Sequence, residues 1–169
     1  MSVLSKYEIR RLIEQSPALV TDFVNLEEQL QPNGIDLTLR SVSELTTPGH
    51  IPIDNSCRLI SELKPYEYDN EGMLELKPGC YLITLNEIVH LPNNIMALAK
   101  PRSSLLRCGV AIHNAVWDAG YSGRSQSLMV VYNPKGFRIQ KNARINQLVF
   151  FHLNDETEGY RGKYQNENI

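Results

Sequence analysis

The sequence has few cysteines and no long apolar run. Its three cysteines, Cys57, Cys80 and Cys108, are odd in number and widely spaced. This pattern excludes a disulfide framework and a Cys-x-x-Cys metal pair, and it favours a reducing, cytoplasmic location. The chain contains no run of about 18 apolar residues, the length that a membrane helix needs, and residues 1–10 have no apolar signal core. We therefore expect an unexported protein without a membrane partner.

An excess of positive charge is also missing. The chain has 17 basic and 19 acidic residues, which give a formal net charge of −2. Without a broad positive field, a nucleic-acid partner is not expected. An anionic partner would have to be a small ligand, bound by a few focused basic groups and backbone amides. A length of 169 residues and a hydrophobic content of 42% are typical of one globular domain.

Helix signals are concentrated near the N-terminus. Ser5 is followed three residues later by Glu8, the spacing of a capping box, so the pattern predicts a helix over residues 6–15 that Pro17 ends. A second, weaker helix or turn is predicted over residues 24–30. We therefore assign residues 1–30 to an N-terminal helical segment.

From Ile35 onward the pattern changes to short runs of alternating polar and apolar residues, separated by proline and glycine. Such a pattern predicts a mainly β core over residues 31–153, built as a sandwich, jelly roll or barrel. The clearest predicted strands are residues 74–76, 81–85, 95–99, 129–132 and 147–152. Residues 154–169 are polar, as in a frayed tail.

The segment 100–109 has the features of a phosphate site. A predicted strand and Pro101 precede Ser103 and Ser104, which stand before an apolar pair and predict a short helix capped by a hydroxyl group. A helix start offers free N–H groups and partial positive charge, and Arg102 adds a guanidinium group beside them. The same residues would also suit a capped helix with a solvated arginine.

The segment 113–124 has the features of a catalytic turn. Asp118 follows apolar residues and precedes two glycines that flank Tyr121. An aspartate at such a strand end can project into a pocket and act as a general base for water, and Tyr121 can lie flat beneath a sugar or base. A plain turn would have the same composition.

Three further segments are weak signals alone: Gln-Pro-Asn-Gly-Ile-Asp-Leu (31–37), Ala-Arg-Ile-Asn-Gln-Leu (143–148) and Gly-Tyr-Arg-Gly-Lys-Tyr-Gln (159–165). Taken with Pro-Arg-Ser-Ser-Leu (101–105) and Asp-Ala-Gly-Tyr-Ser-Gly (118–123), they resemble in order and spacing the motif series of the dUTPase and dCTP deaminase superfamily. The layout, which includes an N-terminal helix, looks closest to the archaeal dUTPases grouped with the deaminase branch.

The resemblance implies a fold, a reaction and partners. We expect a mainly β, dUTPase-like jelly roll or distorted β-barrel with a short N-terminal helix, in which residues 154–169 form a lid. The implied activity is dUTP diphosphatase, which cuts dUTP to dUMP and pyrophosphate with Mg²⁺. Mg²⁺ would bind mainly through the triphosphate, and Asp36 would hold the hydrated ion through a water. Family members are homotrimers whose sites lie between subunits.

The resemblance also implies roles for individual residues. Asp118 would orient and deprotonate the attacking water. Tyr121 would lie against the deoxyribose and exclude a 2′-hydroxyl, while backbone groups of residues 114–116 would read the uracil. The implied binding residues are Arg102, Ser103, Ser104 and Arg107 at the phosphates, Asn114 at the base, Gln147 from across a subunit boundary, and Tyr160, Lys163 and Gln165 in the lid.

The choice between deamination and hydrolysis depends on one carboxylate that this sequence lacks. Deaminases of the superfamily need a glutamate in the strand after the aspartate turn, in a Glu-Phe-Tyr-Asn pattern. The matching residues here are Val130-Val131-Tyr132-Asn133, and no acidic residue lies between Asp118 and Asp155. The H-x-E and C-x-x-C signatures of zinc deaminases are also missing. Hydrolysis of dUTP is therefore predicted.

Other functions stay open on the sequence. The tail resembles that of a deaminase and has no Gly-Ser-Thr-Gly loop, and the stretch containing Gln126 is two residues longer than its deaminase counterpart, so Gln126 receives no role. The alternatives are a dCTP deaminase or bifunctional enzyme, a catalytically silent deoxynucleotide-binding regulator, and a jelly roll that binds sugar or peptide. Intact Asp118 and the serine pair argue against a silent regulator, and a jelly roll that binds sugar or peptide would leave the Arg-Ser-Ser and tail motifs unexplained.

Overall fold

The computed structural model describes residues 2–169 as a mainly β fold with three short helices, which confirms the predicted class. The helices are α1 (Lys6–Ile13), α2 (Leu26–Gln29) and α3 (Ser103–Arg107), with a 3-10 turn at Asn55–Cys57. The strands are β1 (Ser2–Val3), β2 (Val20–Thr21), β3 (Leu30–Gln31), β4 (Gly34–Leu45), β5 (Leu63–Pro65), β6 (Met73–Leu76), β7 (Gly79–Leu85), β8 (Ile88–His90), β9 (Ile95–Pro101), β10 (Val110–His113), β11 (Ser122–Gly123), β12 (Gln126–Val131), β13 (Phe137–Gln140) and β14 (Arg144–His152).

One large antiparallel sheet forms the body of the molecule and curls into a half-barrel. Its order is β1-β14-β4-β7-β12-β10, with β3 and β5 also paired to β4, and β9 paired to β14. Two small sheets, β11-β8-β2 and β13-β6, lie beside it. Alternate residues of β7 and β12 are buried, which is the pattern expected of strands with one face on a core.

Helix α1 begins where the sequence predicts and ends two residues earlier. Ser5 and Glu8 form the predicted capping box, because each side chain accepts a hydrogen bond from the other residue's backbone N–H. Leu4 and Ile9 are fully buried, so the helix is fixed to the sheet by its first turn. Pro17 lies beyond the helix end at Ile13, as predicted.

Strands β6 and β7 are neighbours in sequence but do not pair with each other. The residues between them, Lys77 and Pro78, form a connection, while β6 pairs with β13, and β7 lies between β4 and β12. Proline and glycine specify a turn without specifying which strands pair across it. The predicted second helix is also shorter than expected, since α2 is limited to Leu26–Gln29.

A buried carboxylate joins α2 to the large sheet. Glu87 is 1% exposed, and its oxygens accept hydrogen bonds from Gln29 Nε2 at 2.7 Å, Thr38 Oγ1 at 2.6 Å and Thr38 N at 2.9 Å. Burial raises the pKa of the Glu87 carboxyl above its ordinary value of 4.5, although the hydrogen bonds oppose this shift. The folded state therefore holds this proton more tightly than the unfolded chain does.

Glu87 should make stability depend on pH. Its contribution is fully present below the ordinary pKa of 4.5 and is lost as pH rises through the higher pKa of the folded protein. We expect the free energy of unfolding of the wild type to fall over that window, and to fall less steeply in Glu87→Gln. Urea unfolding at a series of pH values measures both slopes. Equal slopes in the two proteins would show that Glu87 titrates alike in the folded and unfolded states.

Candidate functional site

The predicted phosphate segment lies where β9 ends and α3 begins. Arg102 is the residue before the helix and makes no side-chain capping bond, so the predicted hydroxyl cap is wrong. Ser103 and Ser104 instead occupy the first two helical positions, where their side chains are exposed. Arg107, in the last turn, is also exposed. Because the first turn of a helix has free N–H groups, this end of α3 presents two hydroxyls and backbone donors to solvent.

Asp36 lies beneath this segment as a buried anion. Its carboxylate is 2% exposed, and Oδ2 lies 3.1 Å from Arg102 Nε and 3.7 Å from Arg144 Nη1. The Arg102 contact is an ion pair and not a hydrogen bond, because Oδ2 accepts none from the described residues. Burial raises the pKa of Asp36, and the two guanidinium groups oppose the shift. Gln147 lies directly opposite Asp36 on β14.

A protein-bound metal ion does not fit the residues around Asp36. Its buried carboxylate already faces two cations, which disfavours a direct metal ligand. Within residues 2–169, no three His, Cys, Asp or Glu side chains are grouped closely enough to hold a metal ion. A water-mediated contact from Asp36 stays a prediction. The structure adds a second role for this carboxylate, which is to orient Arg102.

The predicted catalytic turn borders a cavity of about 260 Å³. Asp118 is exposed at its edge, one residue after Trp117, whose backbone pairs with Ala97 of β9. The backbone carbonyl of Asp118 accepts a hydrogen bond from Tyr121 N at 3.1 Å and thereby closes the tight turn. The cavity is lined by Ala115, Val116, Trp117, Asp118, Tyr121, Ser125, Gln126, Tyr160, Tyr164 and Glu167.

Tyr121 is held rigidly in the wall of this cavity. Its hydroxyl donates to Glu167 Oε1 at 2.9 Å and lies 3.0 Å from Ser125 Oγ, which accepts from Trp117 Nε1. Tyr160 packs edge-on against its ring, with centroids 5.8 Å apart. Burial raises the pKa of Tyr121, so the phenol stays neutral. A locked, 6% exposed ring can present only one surface to a ligand.

The C-terminal tail, defined here as residues 154–169, docks on the catalytic turn. Tyr160 N donates to the Ala119 carbonyl at 2.8 Å, and the Gln165 side chain donates to Gly120 O and accepts from Ser122 N, both at 3.0 Å. The composition of residues 154–169 had indicated a frayed segment. Instead, these hydrogen bonds hold the tail against the backbone of the turn. Lys163 lies between these contacts with its side chain exposed.

Two glycines let the tail cross the turn closely. Gly120 and Gly159 both have positive φ, and a Cβ on Gly120 would lie 2.6 Å from Gly159 Cα. A Cβ on Gly159 would lie 2.5 Å from Asn93 Oδ1. Such contacts do not occur in relaxed structures, so the crossing requires residues without side chains.

Gly159→Ala should therefore loosen the tail. An alanine at positive φ costs about 1–2 kcal/mol, enough to raise the undocked population about 5–30-fold. We expect trypsin to cut after Arg161 and Lys163 correspondingly faster. The matched control is Gly49→Ala, where the new Cβ would meet Ser61 Oγ at an ordinary 3.4 Å. Equal cleavage rates in wild type and Gly159→Ala would mean that the crossing does not hold the tail.

Asn114 belongs to a polar cluster behind the cavity wall. Its Oδ1 accepts from Ser127 Oγ and Asn146 Nδ2, both at 2.7 Å, and its Nδ2 donates to Ala99 O at 3.3 Å. The Asn114 side chain thus forms its hydrogen bonds with other groups of the protein. Residues 115 and 116, which follow it, line the cavity with Ala and Val.

The two predicted halves of the site lie far apart in one chain. Trp117, next to Asp118, pairs with Ala97, whereas Ser103 begins α3 just beyond the end of β9 at Pro101. The four steps along the strand from Ala97 to Pro101 alone span roughly 13 Å at about 3.3 Å per residue. Asp118, Tyr121 and Tyr160 line the cavity, and Gln165 binds the turn beside it. Arg102, Ser103, Ser104 and Gln147 lie at the other end of β9 with Asp36. Arg107 and Lys163 are exposed outside both groups.

Five residues that line the cavity received no site role from the sequence: Trp117, Ser125, Gln126, Tyr164 and Glu167. Trp117 donates a hydrogen bond to Ser125, and Glu167 is a second carboxylate in the lining with Asp118. Burial raises the pKa of Glu167, although the Tyr121 hydroxyl donates to it. Ser125 follows the Tyr-Ser-Gly turn closely enough to have been suspected. No sequence pattern pointed to Glu167, because its position in the cavity wall depends on how the tail folds back.

The helices have no membrane-spanning character. Among those in residues 2–169, none combines the length and the apolar composition that crossing a membrane requires.

Comparison with known proteins supports one family. Residues 3–153 match the family model described as dCTP deaminase-like. The chain is 51% identical over 169 residues to a probable deoxyuridine 5′-triphosphate nucleotidohydrolase of Methanosarcina mazei, covering 99% of each chain. It is 49% identical over 170 residues to the probable enzyme of the same name from Methanococcoides burtonii, covering 100% of each.

A solved structure supports the fold. The 2′-deoxycytidine 5′-triphosphate deaminase from Agrobacterium tumefaciens superposes with a TM-score of 0.64 at 24% sequence identity. The superposition covers 88% of this chain and 47% of that one.

Proposed function

Because the chain belongs to the dCTP deaminase-like family, we propose that it hydrolyses dUTP to dUMP and pyrophosphate. The observation that carries this proposal is the cavity in which Asp118 stands at the rim beside the locked ring of Tyr121. Relatives about half identical over the whole chain have names that state the same activity.

In the proposed reaction Asp118 is the general base. Its exposed carboxylate accepts a proton from a water at the cavity edge, the water oxygen bonds to the α-phosphorus, and the bond from that phosphorus to the α,β-bridging oxygen breaks. Pyrophosphate leaves with the electron pair of that bond. Such a base contributes about 10²–10⁴-fold to the rate. A divalent ion, which we propose is Mg²⁺, would enter on the triphosphate oxygens and neutralise their charge.

We propose that the α3 start binds the triphosphate. Arg102 is oriented by the buried Asp36, so its guanidinium is prepared to form two parallel hydrogen bonds with phosphate oxygens. Ser103 and Ser104 add hydroxyl donors beside it, and Arg107 and Gln147 supply further contacts from the helix end and β14. The tail residues Tyr160, Lys163 and Gln165 cover the bound nucleotide.

Selection for deoxyribose and uracil follows from the cavity wall. The ring of Tyr121 cannot retreat, because Ser125, Glu167 and Tyr160 fix it, so a sugar packed against it has no room for a 2′-hydroxyl. Backbone groups of residues 114–116, held by the Asn114 cluster, would bind the uracil edge. A rigid wall of this kind distinguishes deoxyribose from ribose by steric contact and not by charge.

We propose that the active protein is a homotrimer whose sites lie between subunits. In one chain Asp118 lies beside the bridge of Trp117 to Ala97, whereas Ser103 lies beyond the far end of β9, so at least the roughly 13 Å of strand from Ala97 to Pro101 separates the two groups. Among residues 2–169, the side chains that line the cavity include Asp118 and Glu167 and no basic group. The cations that bind a polyanion here must come from outside the lining, and we propose that Arg102 of a second copy is among them.

Mixing two inactive variants tests this assembly. At a dUTP concentration well below the wild-type KM, we expect Asp118→Asn and Arg102→Gln chains each to keep about a tenth or less of the wild-type rate, and their co-expressed mixture to recover about one quarter of it. Random pairing leaves about one site in four with both residues intact. A mixture of assembled chains with no recovered activity would place both residues in the same chain's site.

The position of attack is tested with isotope-labelled water. Hydrolysis of dUTP in H₂¹⁸O should place the label in dUMP and none in pyrophosphate, because the water bonds to the α-phosphorus. Label in pyrophosphate would mean attack at the β-phosphorus. Release of inorganic phosphate instead of pyrophosphate would contradict the proposed reaction altogether.

A further inference from the structure

The end of the tail is tied to the body by a buried arginine. Arg124, which follows β11 and has a side chain 7% exposed, donates from Nε to the Asn168 carbonyl at 3.1 Å and from Nη1 to the Asn86 carbonyl. Its backbone N–H donates to Glu167 O at 2.9 Å, and its carbonyl accepts from Asn168 Nδ2 at 3.0 Å. Arg124 thus contacts the last residues of the tail with both its backbone and its side chain.

The charge of Arg124 is met by a residue from the other end of the chain. Asp22, in the loop between β2 and α2, places Oδ2 2.6 Å from Arg124 Nη2. Asp22 adopts a positive φ of 56°, a conformation that only a minority of non-glycine residues adopt. Its side chain is 52% exposed, whereas Arg124 is buried. A buried guanidinium needs a charged partner and full hydrogen bonding, and Asp22 supplies the partner.

The residues held by Arg124 reach the nucleotide cavity. Glu167 lies between the Arg124 contact and the Tyr121 hydroxyl, which donates to it at 2.9 Å. Glu167 also pairs with Gly123 as an isolated parallel bridge, and Asn166 N donates to Ser122 O at 2.7 Å. Movement of residues 166–168 would therefore release one of the groups that lock Tyr121.

We propose that Arg124, held by Asp22, is a positioning residue that fixes the tail over the nucleotide cavity and thereby sets the affinity for the substrate. Neither side chain lines the cavity, so both act through Glu167 and its neighbours. The kinetic part of this inference rests on the proposed dUTP hydrolysis. The structural part, that Arg124 and Asp22 keep the tail docked, stands without any nucleotide.

The variants are Arg124→Gln and Asp22→Asn, in the full-length chain. The matched control is Glu75→Gln, which removes the exposed ion pair between Glu75 and Arg138, 3.3 Å apart on β6 and β13. Hydrogen exchange of the backbone amides of residues 160–168 is measured first, without nucleotide. Steady-state kinetics with dUTP and Mg²⁺ follow, together with thermal unfolding.

We expect exchange at residues 166–168 to rise about tenfold in Arg124→Gln and about threefold in Asp22→Asn, with exchange in the large sheet unchanged. The KM for dUTP should rise by similar factors, with a smaller change in kcat, because the tail binds and does not react. Glu75→Gln should match wild type. In the Gly159→Ala background, where the tail is already loosened, adding Arg124→Gln should raise KM little further.

The possible results distinguish the structural part of the proposal from its kinetic part. Unchanged tail exchange in both variants would overturn the positioning role, as would a KM that rises by the full factor in the Gly159→Ala background. If Arg124→Gln does not fold, Asp22→Asn decides, since its side chain is half exposed. Faster tail exchange in a protein whose wild type does not cut dUTP would uphold the tail anchor and reject the proposed reaction instead.

Discussion

Replacing Asp118 by asparagine should leave dUTP binding nearly unchanged and slow hydrolysis by about 10²–10⁴-fold. Asparagine has the same shape as aspartate but cannot accept the proton of the attacking water. The turn should persist, because its closing hydrogen bond, from Tyr121 N to Asp118 O, involves only backbone atoms. Calorimetry with a non-hydrolysable dUTP analogue measures binding, and pyrophosphate release measures turnover.

Asp155→Asn is the control for this substitution, since Asp155 is another exposed aspartate and lies at the start of the tail, outside the cavity lining. It should turn over dUTP at the wild-type rate. Turnover by Asp118→Asn within a factor of about two of wild type would remove Asp118 from the proton transfer, given the size expected of a general base. Loss of binding together with turnover would assign Asp118 to the fold of the turn.

Arg102→Gln should weaken substrate binding and destabilise the protein together. Loss of charged hydrogen bonds to phosphate, each worth about 1.5–3 kcal/mol, should raise the KM about 10–100-fold or more. The same change removes the nearer of the two cations that face the buried Asp36. Leaving a buried charge short of its partner typically costs several kcal/mol, reduced here because the Arg102 side chain is 35% exposed and Arg144 stays in place.

The double variant Asp36→Asn and Arg102→Gln separates the two effects. With no buried charge left to compensate, the free energy of unfolding should recover toward wild type, while the KM stays high. Kinetics and urea unfolding on the same preparations give both quantities. A KM that recovers with the stability would show that Arg102 supports the fold alone and does not bind phosphate.

Local signals in the sequence predicted the elements that depend on neighbouring residues. The capping box at Ser5 and the turn at Asp118 both depend on contacts within a few positions. The pairing of β6 with β13 joins residues about sixty positions apart, and alternation alone does not choose between partners. The hydroxyl cap was placed one residue late, because Arg102 itself takes the position before the helix.

The sequence predicted separate segments of the site, and the structure shows how those segments are arranged. Motif order proposed Asp118, Tyr121 and Arg102 as site residues, but their separation along β9 follows only from the register of Trp117 on Ala97. The ion pair between Asp36 and Arg102 joins segments that have no common pattern. The tail looked frayed because its apolar content is low, yet it docks through backbone hydrogen bonds, which composition does not reveal.

The most direct test of the account is a product assay with purified protein, Mg²⁺ and either dUTP or dCTP, with nucleotides separated by chromatography and pyrophosphate quantified. The account predicts dUMP and pyrophosphate in equal amounts from dUTP, and unchanged dCTP, because β12 has no carboxylate at the position where deaminases need one. Formation of dUTP or dUMP from dCTP would contradict it and would direct attention to Glu167, the second carboxylate of the cavity. No product from either nucleotide would favour a silent deoxynucleotide-binding protein.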